Sequence, residues 1–427
     1  MTNIIPIQGL RLSPKAGADY SLLVTPPYDV IDQQQQEECY NKSPFNVIRL
    51  EYGKSLPGDD NLQNKYTRAA CTLQDWLETG VLFREKEPAL YFYDQHFNFA
   101  GKKYLRRGLF CGVELTDFRE GNIIPHEETM DLPKADRLEL LECCQTNFSP
   151  VFGLFRDKEM FLENMVNSLK EKNHPIINFT DEDSQTHKIW ATTDPGLISA
   201  ARRFFSDKKI LIADGHHRYE TALNYYLQRK KQSGDTEKFN HVLMALTNIY
   251  DEGLLSLPTH RLILRGGPET RAILPMLEQN FVLTELQNPQ DREQFKTRLG
   301  AFLTCGTGAD LSLGLYTPEG KLYGLKLKNA ENHPFPLIDT FALQELILKT
   351  IFGQGETEKK EQCDLIYIKD EWEAKKLVDG NIARYLFCLN SPPLEEIIDL
   401  AEKGVRLPQK STYFYPKMIS GLIMLKH

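Results

Sequence analysis

Asp214-Gly-His-His-Arg218 is the densest cluster of chemically capable residues in this chain. It follows Ile210-Leu-Ile-Ala213, a short apolar run that reads as a buried strand, and precedes Tyr219-Glu-Thr-Ala-Leu223, which reads as helix. A strand that ends in a polar turn and opens a helix is a ready anion site. The first N–H groups of a helix lack intrahelical acceptors, and the helix dipole favours negative charge there. Gly215 lets a phosphate approach the backbone closely. His216 and His217 add donors, and Arg218 suits bidentate phosphate contact. Asp214 fits a Mg²⁺ ligand or a base, depending on where it points. The plainer reading is a charged loop in which Asp214 caps the helix and Arg218 pairs with an acid such as Glu220. Five such residues in one turn favour the anion site. Zinc is disfavoured, because adjacent histidines rarely face one ion. His126-Glu-Glu-Thr-Met130 also has methionine where the second ligand of H-E-x-x-H belongs.

A second constellation runs from Ile124-Pro-His-Glu-Glu-Thr129 to Pro133-Lys-Ala-Asp-Arg-Leu138. Solvation alone could hold such a loop. As a site, it offers Glu127 as a base, raised by neighbouring carboxylates, with Asp29 and Glu51 as rivals. His126, Lys134 and Arg137, together with Lys417 from Gln409-Lys-Ser-Thr-Tyr-Phe-Tyr-Pro-Lys417, are candidate substrate contacts. Phosphoryl chemistry would need an unfamiliar scaffold, since the sequence has no G-x-x-x-x-G-K-[ST] loop and no H-R-D or D-F-G set. Gly306-Thr-Gly-Ala-Asp-Leu311 lacks the third glycine of a dinucleotide fingerprint, and no G-x-S-x-G elbow occurs.

The elements that must position these residues alternate along the chain. Asp32 caps a polar helix through Tyr40, Phe45-Asn-Val-Ile-Arg-Leu-Glu51 reads as a strand, and a helix covers about 62–79. Ala89–Phe97 and Tyr104–Leu115 form a hairpin about Gly101-Lys. A helix at about 134–145, a strand ending at Phe155, and a helix–strand–helix stretch over 157–205 lead to the signature. The strand Asn240–Tyr250 follows it. The expected division is 1–265, a nucleotide-binding region with an insertion at about 86–205, and 266–427, a C-terminal α+β region.

The chain has 427 residues, 41% hydrophobic and 26% charged, with a net charge of −8. These are ordinary globular values, and the acidic balance argues against nucleic acid as the main partner. No apolar run is long enough for a spanning helix, and Met1–Arg11 does not read as a signal peptide. The expectation is a cytoplasmic protein without a membrane partner, its eight cysteines free as thiols. Its partners would be a nucleotide and a small-molecule substrate, with self-association left open.

The residues Asp214-Gly-His-His-Arg-Tyr-Glu-Thr-Ala222 resemble a large prokaryotic family catalogued as a domain of unknown function. Pro27-Tyr-Asp-Val30, Asn46–Glu51, Pro125-His-Glu127, Pro133–Leu138, Asn147-Phe-Ser-Pro150, Leu257–Leu262 and Leu407–Lys417 extend the resemblance over nearly the whole chain. The turn is also similar, more distantly, to the phosphate-binding box of the ParB and sulfiredoxin superfamily. The free L-serine kinases of that superfamily carry the same D-G-H-H-R run and transfer a phosphoryl group from ADP or ATP to serine. The resemblance implies an α+β fold with a mixed-sheet nucleotide-binding core. It implies Asp214 and His217 as catalytic, with Gly215, His216, Arg218 and Thr221 on the nucleotide. Asp214 would be the one Mg²⁺ ligand. The expected activity is phosphoryl transfer from ATP or ADP to a hydroxylated metabolite, L-serine being one candidate. The alternatives are a nucleotide hydrolase on the same site and a nucleotide-sensing regulator.

Overall fold

The computed structural model describes residues 1–127, 131–171, 173–233, 237–287, 289, 291–303, 310–353 and 364–427. Glu128, Thr129, Cys305, Cys363 and most of Gly306–Leu311 lie outside them. The chain forms two compact units, Met1–Leu255 with Pro416–His427, and Ser256–Tyr415. The expected boundary at 265 thus falls ten residues late, and the last twelve residues belong with the first unit. The fold is mixed α+β.

The first unit is built on a nine-stranded mixed sheet. Its order is Ile123–Pro125, Ile210–Asp214, Val151–Phe155, His241–Asn248, Lys102–Glu114, Leu90–Phe99, Thr186–Thr192 and Ile177–Thr180, with Ile4–Ile5 pairing off Lys102–Glu114. Most of these strands come from the stretch expected as an insertion. The hairpin expected about Gly101 forms, with Gly101 at φ +78°. Two neighbouring pairs are parallel, Ile210–Asp214 with Ile123–Pro125 and Val151–Phe155 with His241–Asn248. One face buries Leu90, Phe92, Leu109, Cys111, Ile210, Ile212 and Met244 beneath three helices. These are Phe161–Lys170, Pro195–Phe205 and His216–Ser233, which contribute Val166, Phe205, Tyr219 and Ala222. Each helix presents apolar residues at three- and four-residue spacings, so one stripe meets the sheet.

The second unit has a six-stranded antiparallel sheet, ordered Phe281–Leu286, Leu322–Leu327, Ser312–Tyr316, Tyr385–Cys388, His260–Arg265 and Asp364–Ile368. Its alternating side chains feed two separate cores. Thr270–Leu277 supplies Ile273 and Leu277 to one, and Arg292–Phe302 and Glu371–Asp379 supply Phe295 and Val378 to the other. Within this unit Arg261 donates to the carbonyls of Thr259 at 2.6 Å, Gln409 at 3.1 Å and Lys410 at 3.2 Å. Two polar islands of the sequence therefore hold each other. Among the described residues no helix is long and apolar enough to cross a membrane. Cys39, Cys71, Cys111, Cys143, Cys144 and Cys388 are free thiols.

One predicted strand is a helix. Asp32 caps Gln33–Lys42 through a capping box, as expected, and the helix expected at about 62–79 forms as Lys65–Glu78, capped by Asn64. Phe45–Glu51, however, ends in the single helical turn Ile48–Glu51. Its branched residues read as strand because a fully buried turn shows neither period cleanly. The buried Asn46 decides the conformation. Its amide donates to the carbonyls of Leu22 at 2.8 Å and Val24 at 3.0 Å, and its carbonyl oxygen accepts from Ile48 N–H at 2.9 Å. Asn46→Ala strands these three groups in the interior and should cost about 2–3 kcal/mol of stability. Urea denaturation should show the midpoint falling at an unchanged slope; a midpoint within error of wild type would show that water replaces the amide.

Candidate functional site

The strand Ile210–Asp214 passes through Gly215 directly into the helix His216–Ser233. Gly215 has φ +89°, and a Cβ there would lie 2.9 Å from Arg218 Nε and 3.0 Å from its Cζ and Nη2. Both the left-handed backbone and the guanidinium laid against it require glycine. The last strand residue, Asp214, pairs in register with Phe152 after an irregularity in the ladder.

Two cations share the Asp214 carboxylate. Arg218 Nη2 donates to Oδ1 at 3.1 Å, and Lys417 Nζ donates to Oδ2. Burial would raise this carboxyl, but Lys417 and Arg218 overcome it and hold Asp214 well below the usual carboxylate range. Arg218 Nη1 also donates to the carbonyl of Pro150, while its buried Nε has no hydrogen-bond partner. Arg218 thus pairs with Asp214 rather than with Glu220, whose partner is Lys134 at 2.6 Å.

His216 and His126 form a second layer beneath the turn. Their rings meet edge-on with centroids 4.8 Å apart, and His126 N–H donates to His216 Nε2 at 3.3 Å. Burial, reinforced by the His126 charge, lowers His216 to about 3, so near neutrality it is an uncharged acceptor with its proton on Nδ1. With Nε2 accepting from His126, the donor that His216 retains is Nδ1–H. His126 is fully buried, with Nδ1 2.7 Å from the carbonyl of Ile212 and Nε2 3.6 Å from Glu127 Oε1. His217 is half-buried on the first helical turn. Thr221 is buried, and its hydroxyl donates to the Lys134 carbonyl at 3.4 Å, tying the helix Asp131–Cys144 to the signature helix.

Arg137, expected as a substrate contact, is enclosed by protein acids. It donates to the Glu51 carbonyl at 3.0 Å, to Glu51 Oε1 at 3.3 Å and to Asp136 Oδ2 at 2.9 Å, and Tyr28 lies across it at 4.0 Å. Asp136 also accepts from Lys65 and from Tyr66 OH. Glu51 accepts from Ser149 Oγ at 2.9 Å, so this rival base is buried and engaged. Burial pushes the Tyr28 phenol up to about 12 against the opposing charges of Arg218 and Arg137. Glu51, Arg137, Ser149, Arg218 and Thr221 form the polar side of a cavity of about 40 Å³ whose other side is apolar, Leu140, Leu141, Phe148 and Val242. Sequence reasoning did not single out Tyr28, Ser149 or Pro150 as site residues, although Pro27-Tyr-Asp and Asn147-Phe-Ser-Pro stood out as motifs.

The donor set fits an anion better than a protein-held cation. Both Asp214 oxygens face cations, so Mg²⁺ there would displace Lys417 or Arg218. Among the described residues no group of three His, Cys, Asp or Glu side chains converges as metal ligands do. The donors an anion would use are gathered here: the Arg218 Nε, which has no hydrogen-bond partner and lies against the Gly215 backbone, and the N-terminus of the helix.

Lys417→Met should leave Asp214 with one counter-charge and cost about 3 kcal/mol at pH 7, the scale for breaking a buried pair. The folded Asp214 lies below its unfolded value, so this advantage is complete above about pH 5. It fades as the pH falls below about 4 toward the folded value. Paired urea titrations of wild type and variant at pH 7 and about pH 3 should show the gap shrinking. An equal gap at both would assign the effect to packing of the lysine stem.

No curated protein matches the sequence. The structure is similar to a conserved hypothetical protein from Pyrococcus furiosus, at 13% identity and TM-score 0.36 over 75% of this chain and 94% of that one. A free serine kinase in complex with AMP gives 12% and 0.37 over 75% and 90%. A variant of a free serine kinase in complex with ADP gives 13% and 0.37 over 75% and 91%. Likeness this distant assigns no activity to the chain. The family described as protein of unknown function (DUF1015) matches residues 4–346, most of the sequence, and the chain belongs to that family.

Proposed function

We propose that the protein is a nucleotide-dependent kinase of small molecules, moving a phosphoryl group from ATP or ADP to a hydroxylated metabolite, on a core of the ParB and sulfiredoxin type. The observation that carries this reading is the Asp214-Gly215 turn, a strand end opening a long helix with Arg218 and Lys417 drawn onto one carboxylate. The D-G-H-H-R resemblance to the free serine kinases supports it. Gly215, the Arg218 Nε and the first helical turn take the phosphates, and Thr221 holds the neighbouring helix in place. The acceptor hydroxyl attacks the terminal phosphorus in line and the bridging oxygen leaves with ADP or AMP. The hydroxyl proton passes to Glu127, whose carboxylate stands beside His126. Asp214 and His217 orient the reacting groups. Positioning and charge neutralisation supply the acceleration. L-Serine is the leading acceptor.

Calorimetric titration with ATP, ADP and CTP should give saturable binding with at least one. Arg218→Ala should weaken it by about 1.5–3 kcal/mol. Unchanged affinity in that variant would remove the nucleotide from the turn. Following the same mixtures by phosphorus NMR across serine, homoserine, threonine and glycerate separates the outcomes. A phosphorylated acceptor supports the kinase, free phosphate alone indicates a hydrolase, and neither product, with a nucleotide-dependent change in oligomeric state, indicates a sensor.

Glu127→Gln keeps the shape of the side chain and removes its basicity. Turnover should fall at least about a hundredfold, the usual contribution of a general base, with nucleotide affinity unchanged. Full turnover in this variant, together with its loss in Asp29→Asn, would move the base to the Tyr28 loop.

A further inference from the structure

Arg106 is a buried cation without a counter-ion. It sits on Lys102–Glu114 opposite Gln95 and is 1% exposed, among the largest fully buried side chains of the protein. Its Nη2 donates to the neutral Gln95 Oε1, and the Gln95 amide donates in turn to Gln185 Oε1 at 2.7 Å. Its Nε and Nη1 have no hydrogen-bond partner, and it forms no ion pair among the described residues. Burial lowers its pKa against the opposing fields of Tyr93, Asp251 and Asp214. Neither carboxyl is hydrogen-bonded or ion-paired to it; both act on it only through their fields. Asp214 answers to Lys417 and Arg218. Asp251 accepts from Arg107 N–H at 2.9 Å and Gly253 N–H at 2.8 Å, and burial raises it to about 6. An enclosed charge with orphaned donors is among the costliest features a fold can carry, and such features concentrate where ligands bind.

The position of this charge is specific. Its Cζ stands 5.1 Å from the ring centroid of Phe152, and Phe152 is the register partner of Asp214. One aromatic side chain therefore separates the orphaned guanidinium from the signature turn. We propose that Arg106 binds the carboxylate of the phosphoryl acceptor, so that the acceptor is a small hydroxy carboxylate lying across Phe152 with its hydroxyl toward the turn. The identification as acceptor rests on the kinase reading above; the binding of a carboxylate does not. A single negative charge balances one guanidinium. A phosphate dianion would bring surplus negative charge beside Asp214 and Asp251. The cations of the turn, Arg218 and Lys417, form a separate group suited to the nucleotide.

The test uses the full chain as wild type, Arg106→Met and Arg106→Lys. The probes are glycerate and lactate, their uncharged counterparts glycerol and propanediol, L-serine with its carboxylate-free counterpart serinol, and ADP, each titrated alone by calorimetry. At least one hydroxy carboxylate should bind wild type, weaken at least about tenfold in Arg106→Met and recover in part in Arg106→Lys. Its counterpart without the carboxylate should bind equally weakly to all three proteins, and ADP affinity should stay within about twofold. The unliganded Arg106→Met protein should melt no lower than wild type, because it loses an uncompensated charge. Failure of every carboxylate to bind wild type would overturn the proposal, as would unchanged carboxylate affinity in Arg106→Met. A parallel loss of ADP would give Arg106 to the nucleotide, and a marked fall in melting temperature or failure to fold would make it structural. Carboxylate binding through Arg106 in a protein that binds no nucleotide would sink the kinase reading and leave this site standing.

Discussion

The sharing of one half-buried carboxylate by two cations is the constraint around which the site is organised. Asp214 ends a sheet strand, Arg218 lies one helical turn further on, and Lys417 arrives from the last twelve residues of the chain. Each ion pair alone would not repay the desolvation of its members. Together they hold Asp214 ionised in the interior and fix where the helix begins. The same contacts clamp Arg218 over Gly215 and onto the Pro150 carbonyl, so the turn joins the Ile210–Asp214 strand to its neighbour Val151–Phe155. Any change in protonation at Asp214 would loosen all of these together.

Around that centre, charges are used for bracing. Arg137 is locked between Glu51 and Asp136, Asp136 is held by Lys65 and Tyr66, and Lys134 is paired with Glu220. These bonds fasten Asp131–Cys144 to Lys65–Glu78, to the Ile48–Glu51 turn and to the signature helix. Arg137, 6% exposed and hydrogen-bonded on both flanks, would bind a substrate carboxylate only by giving up acids that would then be buried alone. Geometry therefore separates Arg137 and Lys134, engaged by protein acids, from Arg106 and Arg218, which keep guanidinium nitrogens without hydrogen bonds, a distinction that composition and spacing do not carry.

That separation also marks what was legible beforehand. The strand, turn and helix about Asp214 could be read because apolar runs, a glycine and a polar burst each have local physical causes. The hairpin about Gly101 and the cap at Asp32 were legible for the same reason. Asn46 was not, because its three bonds reach segments more than twenty residues away as well as its own turn. The Lys417–Asp214 pair spans two hundred residues, and no local pattern encodes it. His216 read as a donor because two adjacent histidines look alike in sequence. Burial against His126 makes it a neutral acceptor, a property of the packed interior alone.

Arg106 shows the limit most clearly. In the sequence it is one of two arginines in a strand, Arg106-Arg107, and the alternation of a strand sends them to opposite faces. Arg107 faces Asp94 at 3.6 Å and finds a counter-charge. Arg106 joins Tyr93 and Gln95 on the other face, where Tyr93 OH is committed to His187 Nδ1 at 2.6 Å and His187 Nε2 to Asp181 at 2.9 Å. The aromatic and amide partners of that face are thus already engaged with one another. A register slip of one residue would set Arg107 opposite Gln95 and Gly108 opposite Asp94, leaving Asp94 to Lys170. The nine-stranded sheet fixes that register through its long central hairpin. That register is what holds the guanidinium of Arg106 over Phe152, one side chain from Asp214.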